Sequence, residues 1–147
     1  STPIKSSAAS DVYKRQCLID TFDRNFQYSV EHVSLAKKAD VVLVAPASAN
    51  VIGKIANGIA DTSVTMAVKA HLRNQKPVLL AVSTNDGLGT AAKNIGTLLN
   101  CKNLYFLPFS QDDYIKKPNS LVADFEKLPD AAIAAFEGRQ LQPVLGF

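Results

Sequence analysis

Between Val41 and Thr62 the chain reads VVLVAPASANVIGKIANGIADT. Pro46, Ala47, Ser48, Ala49 and Asn50 separate a continuous apolar run from an amphipathic one, and their residue types suit ligand binding. Ser48 is placed to cap a helix, its hydroxyl oxygen accepting from a backbone N–H one turn in. The other first-turn N–H groups, with the positive end of the helix dipole, favour a phosphate, a carboxylate or an electron-rich ring edge. Ala47 and Ala49 are small enough for a flat or anionic ligand to approach the backbone. Asn50 adds an amide that both donates and accepts. A plain capped helix would use the same residues, so the stretch alone leaves both readings open.

These residues must be held by the elements around them. Three short, continuous apolar runs have the character of buried parallel strands: Val41–Ala45, Val78–Val82 and Leu104–Leu107. Pro46, which has no N–H to donate to a ladder, is expected to end the first. Helices are predicted over Val51–Ala60, with Val51, Ile52, Ile55, Ala56 and Ile59 on one face, and over Ser63–Leu72. A further helix covers residues 90–100 with Ile95, Leu98 and Leu99 inward, and others cover Val33–Lys38 and Asp130–Phe136. Strands alternating with helices predict a parallel sheet covered on both faces, an α/β fold of doubly wound, Rossmann type. Ligands bind such sheets beyond the carboxyl ends of the strands. Here those ends are PASAN, STNDGLG and PFSQDD, all polar, and parallel pairing brings them to one edge.

Composition narrows the class. The 147 residues make at most one domain, 47% hydrophobic and 20% charged, which describes a folded globular chain. Cys17 and Cys101 form no Cys-x-x-Cys pair, so no metal site is expected; they read as reduced thiols in a cytoplasmic protein, with Cys101 as buried packing. No apolar run approaches the roughly 18–20 residues of a membrane span, and no secretory signal is visible. Of the net charge of +3, two units lie in residues 1–16, STPIKSSAASDVYKRQ, which carry Lys5, Lys14 and Arg15 against Asp11. The remainder is nearly neutral, without a basic stripe, so no nucleic-acid partner is expected. Residues 1–16 lack periodicity and resemble a translated sequencing-adapter remnant. They are read as a non-native or disordered tail, and residues 17–147 as a partial flavoprotein domain. His71, at a predicted helix end, is read as a cation complementing the dipole.

The segment EHVSLAKKADVVLVAPASANVIGKIANGIADT resembles the homo-oligomeric flavin-containing cysteine decarboxylase superfamily, in His32, in Pro46–Asn50 and in Gly58–Asp61. The resemblance implies a flavodoxin-like three-layer fold, trimer-based oligomers, and FMN where neighbouring protomers meet. It places His32 near the flavin ring as a candidate acid–base or ring-positioning group, and Pro46, Ala47, Ser48, Ala49 and Asn50 along the FMN and substrate pocket.

The second motif separates branches. Where decarboxylases carry Pro-x-Met-Asn-x-x-Met-Trp, this chain has VSTNDGLG: Asn85 remains, while Val82, Thr84, Leu88 and Gly89 replace the others. No cysteine follows Cys101 to serve a decarboxylase flap. Ser83-Thr84-Asn85-Asp86 and Lys117-Pro118-Asn119-Ser120 resemble instead the family of dipicolinate synthase B subunits, over roughly residues 30–145. That family acts in sporulation with a nucleotide-binding A subunit, converting a dihydrodipicolinate-type precursor to pyridine-2,6-dicarboxylate. The likeness implies an oxidoreductase component with His32 and Asn85 as catalytic candidates and Ser83 and Thr84 beside the cofactor. Asn50 and Asn85 would orient a small dicarboxylate. Lys116 and Lys117, in the loop SQDDYIKKPNS, would attract it, although a solvated charged turn would look the same. The family's opening strand and its Gly-x-x-Gly-Ser phosphate loop have no counterpart in the sequence, so the first strand or strands are expected to be missing, and with them part of the FMN site.

Overall fold

A computed structural model describes residues 40–146; His32, Cys17 and the helix expected over Val33–Lys38 lie outside them. Five strands and four α-helices follow in the order β1 (Val42–Ala47), α1 (Ala49–Ala56), α2 (Ser63–Arg73), β2 (Val78–Thr84), α3 (Ala92–Leu99), β3 (Leu104–Phe106), β4 (Phe109–Ser110), β5 (Leu121–Ala123) and α4 (Leu128–Phe136). β2 is the centre of the sheet. Val78, Leu79, Leu80, Ala81 and Val82 are all buried, which only a strand covered on both faces achieves. Because side chains alternate along a strand, Val78, Leu80 and Val82 enter one cluster with Ile52, Val68, Ile95 and Leu98 of α1, α2 and α3. Leu79 and Ala81 enter the opposite cluster with Leu128 and Ala131 of α4. The result is the expected three layers.

β1 and β3 pair with β2 in parallel, with Val42, Leu43 and Val44 opposite Val78, Leu79 and Leu80, and Leu104, Tyr105 and Phe106 opposite the same three residues. Beyond this core the sheet is mixed. β5 runs antiparallel to the last two residues of β2, and β4 antiparallel to β5. A purely parallel sheet is therefore incorrect: strands of two and three residues, bounded by Pro108 and Pro118, are too short for their pattern to show in sequence.

Several boundaries also move. β1 continues through Pro46, which sits with Ala45 in a register shift between Val44 and Ala47, where a missing N–H is tolerated. α1 stops at Ala56, because Gly58 turns the chain with φ +73° and leaves Ile59 exposed. Lys54 and Asp61 close that turn with an ion pair at 2.9 Å. Thr62 and Thr65 then start α2 with a reciprocal capping box. Leu99 and Cys101 are exposed, not inward, since α3 buries only Ile95 and Leu98, with Leu99 its last residue on the outer side and Cys101 beyond its end. His71 stands in the last turn of α2, as expected, and is fully buried there.

The C-terminal segment covers the free side of β3 and β4. The Gln140 side chain imitates a strand: its Oε1 accepts from the Phe106 N–H at 2.7 Å and its Nε2 donates to the Phe106 carbonyl at 2.6 Å. Phe109 N–H donates to Val144 O, and Gly146 N–H to Phe109 O, both at 2.9 Å. An edge that would otherwise be open is thus satisfied. Gln140→Leu removes both partners of the buried Phe106 backbone and is expected to destabilise the fold by about 2 kcal/mol. A urea midpoint unchanged from the parent at equal protein concentration would show that the clasp is dispensable.

Candidate functional site

The first wall of the site is the β1–α1 junction. Ser48 is the N-cap of α1, its hydroxyl oxygen accepting from the Val51 N–H at 3.3 Å, as its position after the strand demands. Ala45, Pro46 and Asn50 are exposed, and Ser48 and Ala49 partly so. Ala47 differs: it is fully buried in the cluster beneath the helices, so it belongs to the core and not to the open surface of the turn. Its place is set by the sheet, where Ala47 stands opposite Val82. That register brings PASAN beside the start of Ser83-Thr84-Asn85.

The second wall is the end of β2. Ser83 and Thr84 are ladder residues, opposite Val122 and Leu121 of β5. Thr84 also closes the following turn, its Oγ1 accepting from the Asp86 N–H at 3.1 Å. Asp86 organises the lead into α3: its carbonyl accepts from the Gly89 and Ala91 N–H groups, and its Oδ1 accepts from the Thr90 N–H at 3.2 Å. Asn85 is left exposed between these anchored neighbours.

The third wall is the loop from Gln111 to Ser120, and here the structure adds what the sequence did not reveal. Ser120 is only 3% exposed, and its hydroxyl donates to Asn85 Oδ1 at 3.4 Å. The Ser120 hydroxyl, the Asp113 and Asp112 N–H groups and the Lys117 charge favour the ionised form of Asp112 and hold its carboxyl below its ordinary range, against the opposing effect of desolvation. The ionised form is the favoured one. Its contribution is complete at neutral pH and is lost as the pH falls through the depressed pKa; Asp112 is fully exposed, so that contribution is small. Farther out, Asp113 Oδ1 accepts from the Ile115 and Lys116 N–H groups, and Gln111 Nε2 donates to Pro118 O at 2.9 Å. Lys116 and Lys117 are exposed on this loop.

The second and third walls interlock. Leu88 N–H donates to Asn119 O at 2.9 Å. A Cβ on Gly87 would lie 2.5 Å from Leu121 Cδ1, and one on Gly89 would meet Asp86 Oδ1 and, at 3.4 Å, Asn119 Nδ2. Close approach requires the glycine at position 87, where even Leu121 Cβ would lie 2.9 Å away, whereas at Gly89 the nearest atoms are the ends of side chains that can move. The sequence-predicted residues gather accordingly: Pro46–Asn50 and Ser83–Asn85 adjoin through the parallel register, and Asn85 meets Ser120. Lys116 and Lys117 ride on the same loop, whereas His32 lies outside the described residues. Ser120 had no signal of its own beyond its place in Lys117-Pro118-Asn119-Ser120. Among the described residues no group of His, Cys, Asp and Glu is arranged to hold a metal ion, and no helix is long and apolar enough to cross a membrane.

A three-layer sheet with a capped helix and two polar turns at its strand ends is an open α/β protein of the kind that binds ligands at that edge. The Flavoprotein family profile matches residues 3–126, and the chain belongs to that family. Within it, the chain is 46% identical over 106 residues to the dipicolinate synthase B protein of Bacillus subtilis (strain 168), covering 72% of this chain and 53% of that protein. The crystal structure of the corresponding dipicolinate synthase B protein from Bacillus halodurans C superposes with a TM-score of 0.80 at 38% identity, covering 100% of this chain and 74% of that one. The FMN-dependent cysteine decarboxylase SpaF superposes with a TM-score of 0.52 at 28% identity, over 71% of this chain and 57% of its own. The chain thus spans about half the length of the Bacillus subtilis relative.

Gly87→Ala tests the interlock. The added methyl must displace Leu121, and the variant is expected to lose about 1–3 kcal/mol of stability. Faster amide hydrogen exchange at β5 should accompany it; a parent-like exchange pattern there would contradict the close packing.

Proposed function

We propose that this chain is the flavin-binding B component of a dipicolinate synthase, serving the oxidation of a dihydrodipicolinate-type precursor to pyridine-2,6-dicarboxylate during sporulation in the cytoplasm. The observation that supports the reading is the seating of Ser83–Asp86 against Lys117–Ser120, the most distinctive segments of the resemblance to such proteins. FMN is the proposed cofactor, an A subunit the proposed partner, and a trimer-based homo-oligomer the proposed assembly.

The residues present suit part of a flavin site. The exposed turn at Ala45–Pro46, the partly exposed Ser48 and Ala49, and the start of α1 offer short side chains and first-turn N–H groups to a flat, electron-rich ring edge. Bound FMN would supply a hydride acceptor. The protein's own part is orientation: Asn50 and Asn85 engage the substrate's carboxylates or ring edge, and Lys116 and Lys117 raise the local concentration of a dianion. His32, with an unperturbed pKa near 6.5 for its residue type, is proposed as the group that takes up or delivers a proton at the ring.

A decarboxylase reading draws on the SpaF likeness, and it requires carbon dioxide release from a cysteinyl substrate. A third role, assembly alone, requires a His32→Asn variant to keep full synthase activity. The deciding experiment uses full-length protein: its visible spectrum, then dipicolinate formation with the A subunit in the presence and absence of this chain. A flavin spectrum and product that depends on this chain are expected, with kcat/KM lowered at least about tenfold by Asn85→Ala while the spectrum is unchanged. Colourless protein would overturn the flavin assignment, and product formed equally without this chain would overturn the synthase assignment.

A further inference from the structure

Asn85 leaves the end of β2 with its backbone already held on both sides. Thr84 before it pairs with Leu121 of β5, and the Asp86 N–H after it donates to Thr84 Oγ1 at 3.1 Å. What local structure leaves open is which end of the amide faces outward. The oxygen end only accepts and the nitrogen end only donates. A half-turn of the side chain exchanges them with almost no change in shape, so a distant residue must choose.

Ser120 makes that choice. It is only 3% exposed, so its hydroxyl proton needs an acceptor within the protein. The hydroxyl donates to Asn85 Oδ1 at 3.4 Å, and the amide nitrogen cannot take that proton. Asp112 also gains from this hydroxyl, but it is fully exposed and has water to donate to it, whereas the Asn85 contact is part-buried. At 3.4 Å the bond is long and weak; its effect is on orientation more than on stability. Ser120 itself has little freedom. Its N–H donates to Lys117 O at 3.1 Å, Asn119 O accepts from Leu88 N–H, and Leu121 pairs with Thr84 while packing on Gly87. Gln111 Nε2 on Pro118 O closes the loop behind it. The donor therefore belongs to the anchored base of the loop and not to its exposed tip.

We infer that Ser120 is a positioning residue: by holding Asn85 Oδ1 it turns the amide NH2 outward, so that Asn85 offers a ligand donors only. This rests on the dicarboxylate reading above and sharpens it, since Asn85 then engages a carboxylate, an acceptor, and not a donor on the ring edge. Lys116 and Lys117 draw in an anion as flexible point charges. The preset amide fixes where one carboxylate comes to rest, and it spares the ligand the cost of ordering that side chain on binding.

The test is calorimetric titration of pyridine-2,6-dicarboxylate into the full-length, FMN-loaded protein. Ser120→Ala releases the amide and is expected to weaken binding about fivefold, the cost of ordering one side chain. Asn85→Ala is expected to weaken it at least about tenfold, the worth of a hydrogen bond to a charged group. In the double variant Ser120→Ala should add nothing to Asn85→Ala, because Ser120 acts through Asn85. A purely structural Ser120 would weaken binding by the same factor in both backgrounds; that result, or parent-like affinity in Ser120→Ala, would overturn the inference. Asn85→Asp tests the polarity separately. It keeps an oxygen on Ser120 and puts a second one where the NH2 stood, so it should bind at least about tenfold more weakly than Asn85→Ala. Parent-like affinity in Asn85→Asp would show that an acceptor serves at the outer end, and would overturn the inference too. In each of these cases the dicarboxylate site stands. Failure of the parent to bind the compound would overturn the dicarboxylate reading and this inference with it.

Discussion

The candidate site depends on β2 being longer than its neighbour. β2 has seven residues and β3 three, so the backbone of Ser83 and Thr84 extends past the parallel ladder on that side. An open strand end offers its backbone groups to a further strand, and β5 pairs with Ser83 and Thr84 from the opposite direction. To arrive there the chain leaves β3 at Pro108, passes out along β4, and returns through the charged loop. The return brings Ser120 to Asn85 and Leu121 onto Gly87. One unsatisfied stretch of ladder therefore explains the antiparallel strands, the two closely approached glycines and the polar contact at the site.

The rest of the fold makes that arrangement rigid where it needs to be. β2 is packed on one face by α1, α2 and α3 and on the other by α4, so the ends of β1 and β2 stand on a close-packed base. The outer loop is held differently. Its base is tied by Gln111 and by Ser120, and its tip, with Tyr114 and Ile115 strongly exposed, has only local turn bonds to Asp113. Few buried contacts at the tip make it the segment that opens at least cost, while Ser120 at its base is buried. A ligand site benefits from both, a movable rim and a preorganised floor.

Much of the framework was readable because burial writes itself into composition. The unbroken Val78–Val82 run announces a strand covered on both faces, and Ser48 after a strand announces the cap that forms. The errors fall at the ends of elements. Pro46 ends a strand by rule, yet a register shift with Ala45 lets it remain inside one. Leu99 and Ile59 are apolar at helical spacing, but Leu99 ends α3 on its exposed side and Ile59 lies beyond the end of α1. At Pro46 strand pairing overrode a local preference, whereas at Ile59 the local turn at Gly58 decided the outcome.

The amino-acid sequence by itself determined the layered α/β class, the polar strand ends, the helix cap at Ser48 and the likeness to flavoproteins, because periodicity, capping and motif spacing are local properties. Only the tertiary structure decided that Ala47 is core, that β5 runs beside Ser83 and Thr84, and that Ser120 meets Asn85. Asn85 and Ser120 are 35 residues apart, and no local pattern encodes which distant segment will complete an unfinished ladder. That choice is made by backbone groups that must find partners, and it is this that turns three polar loops into one site.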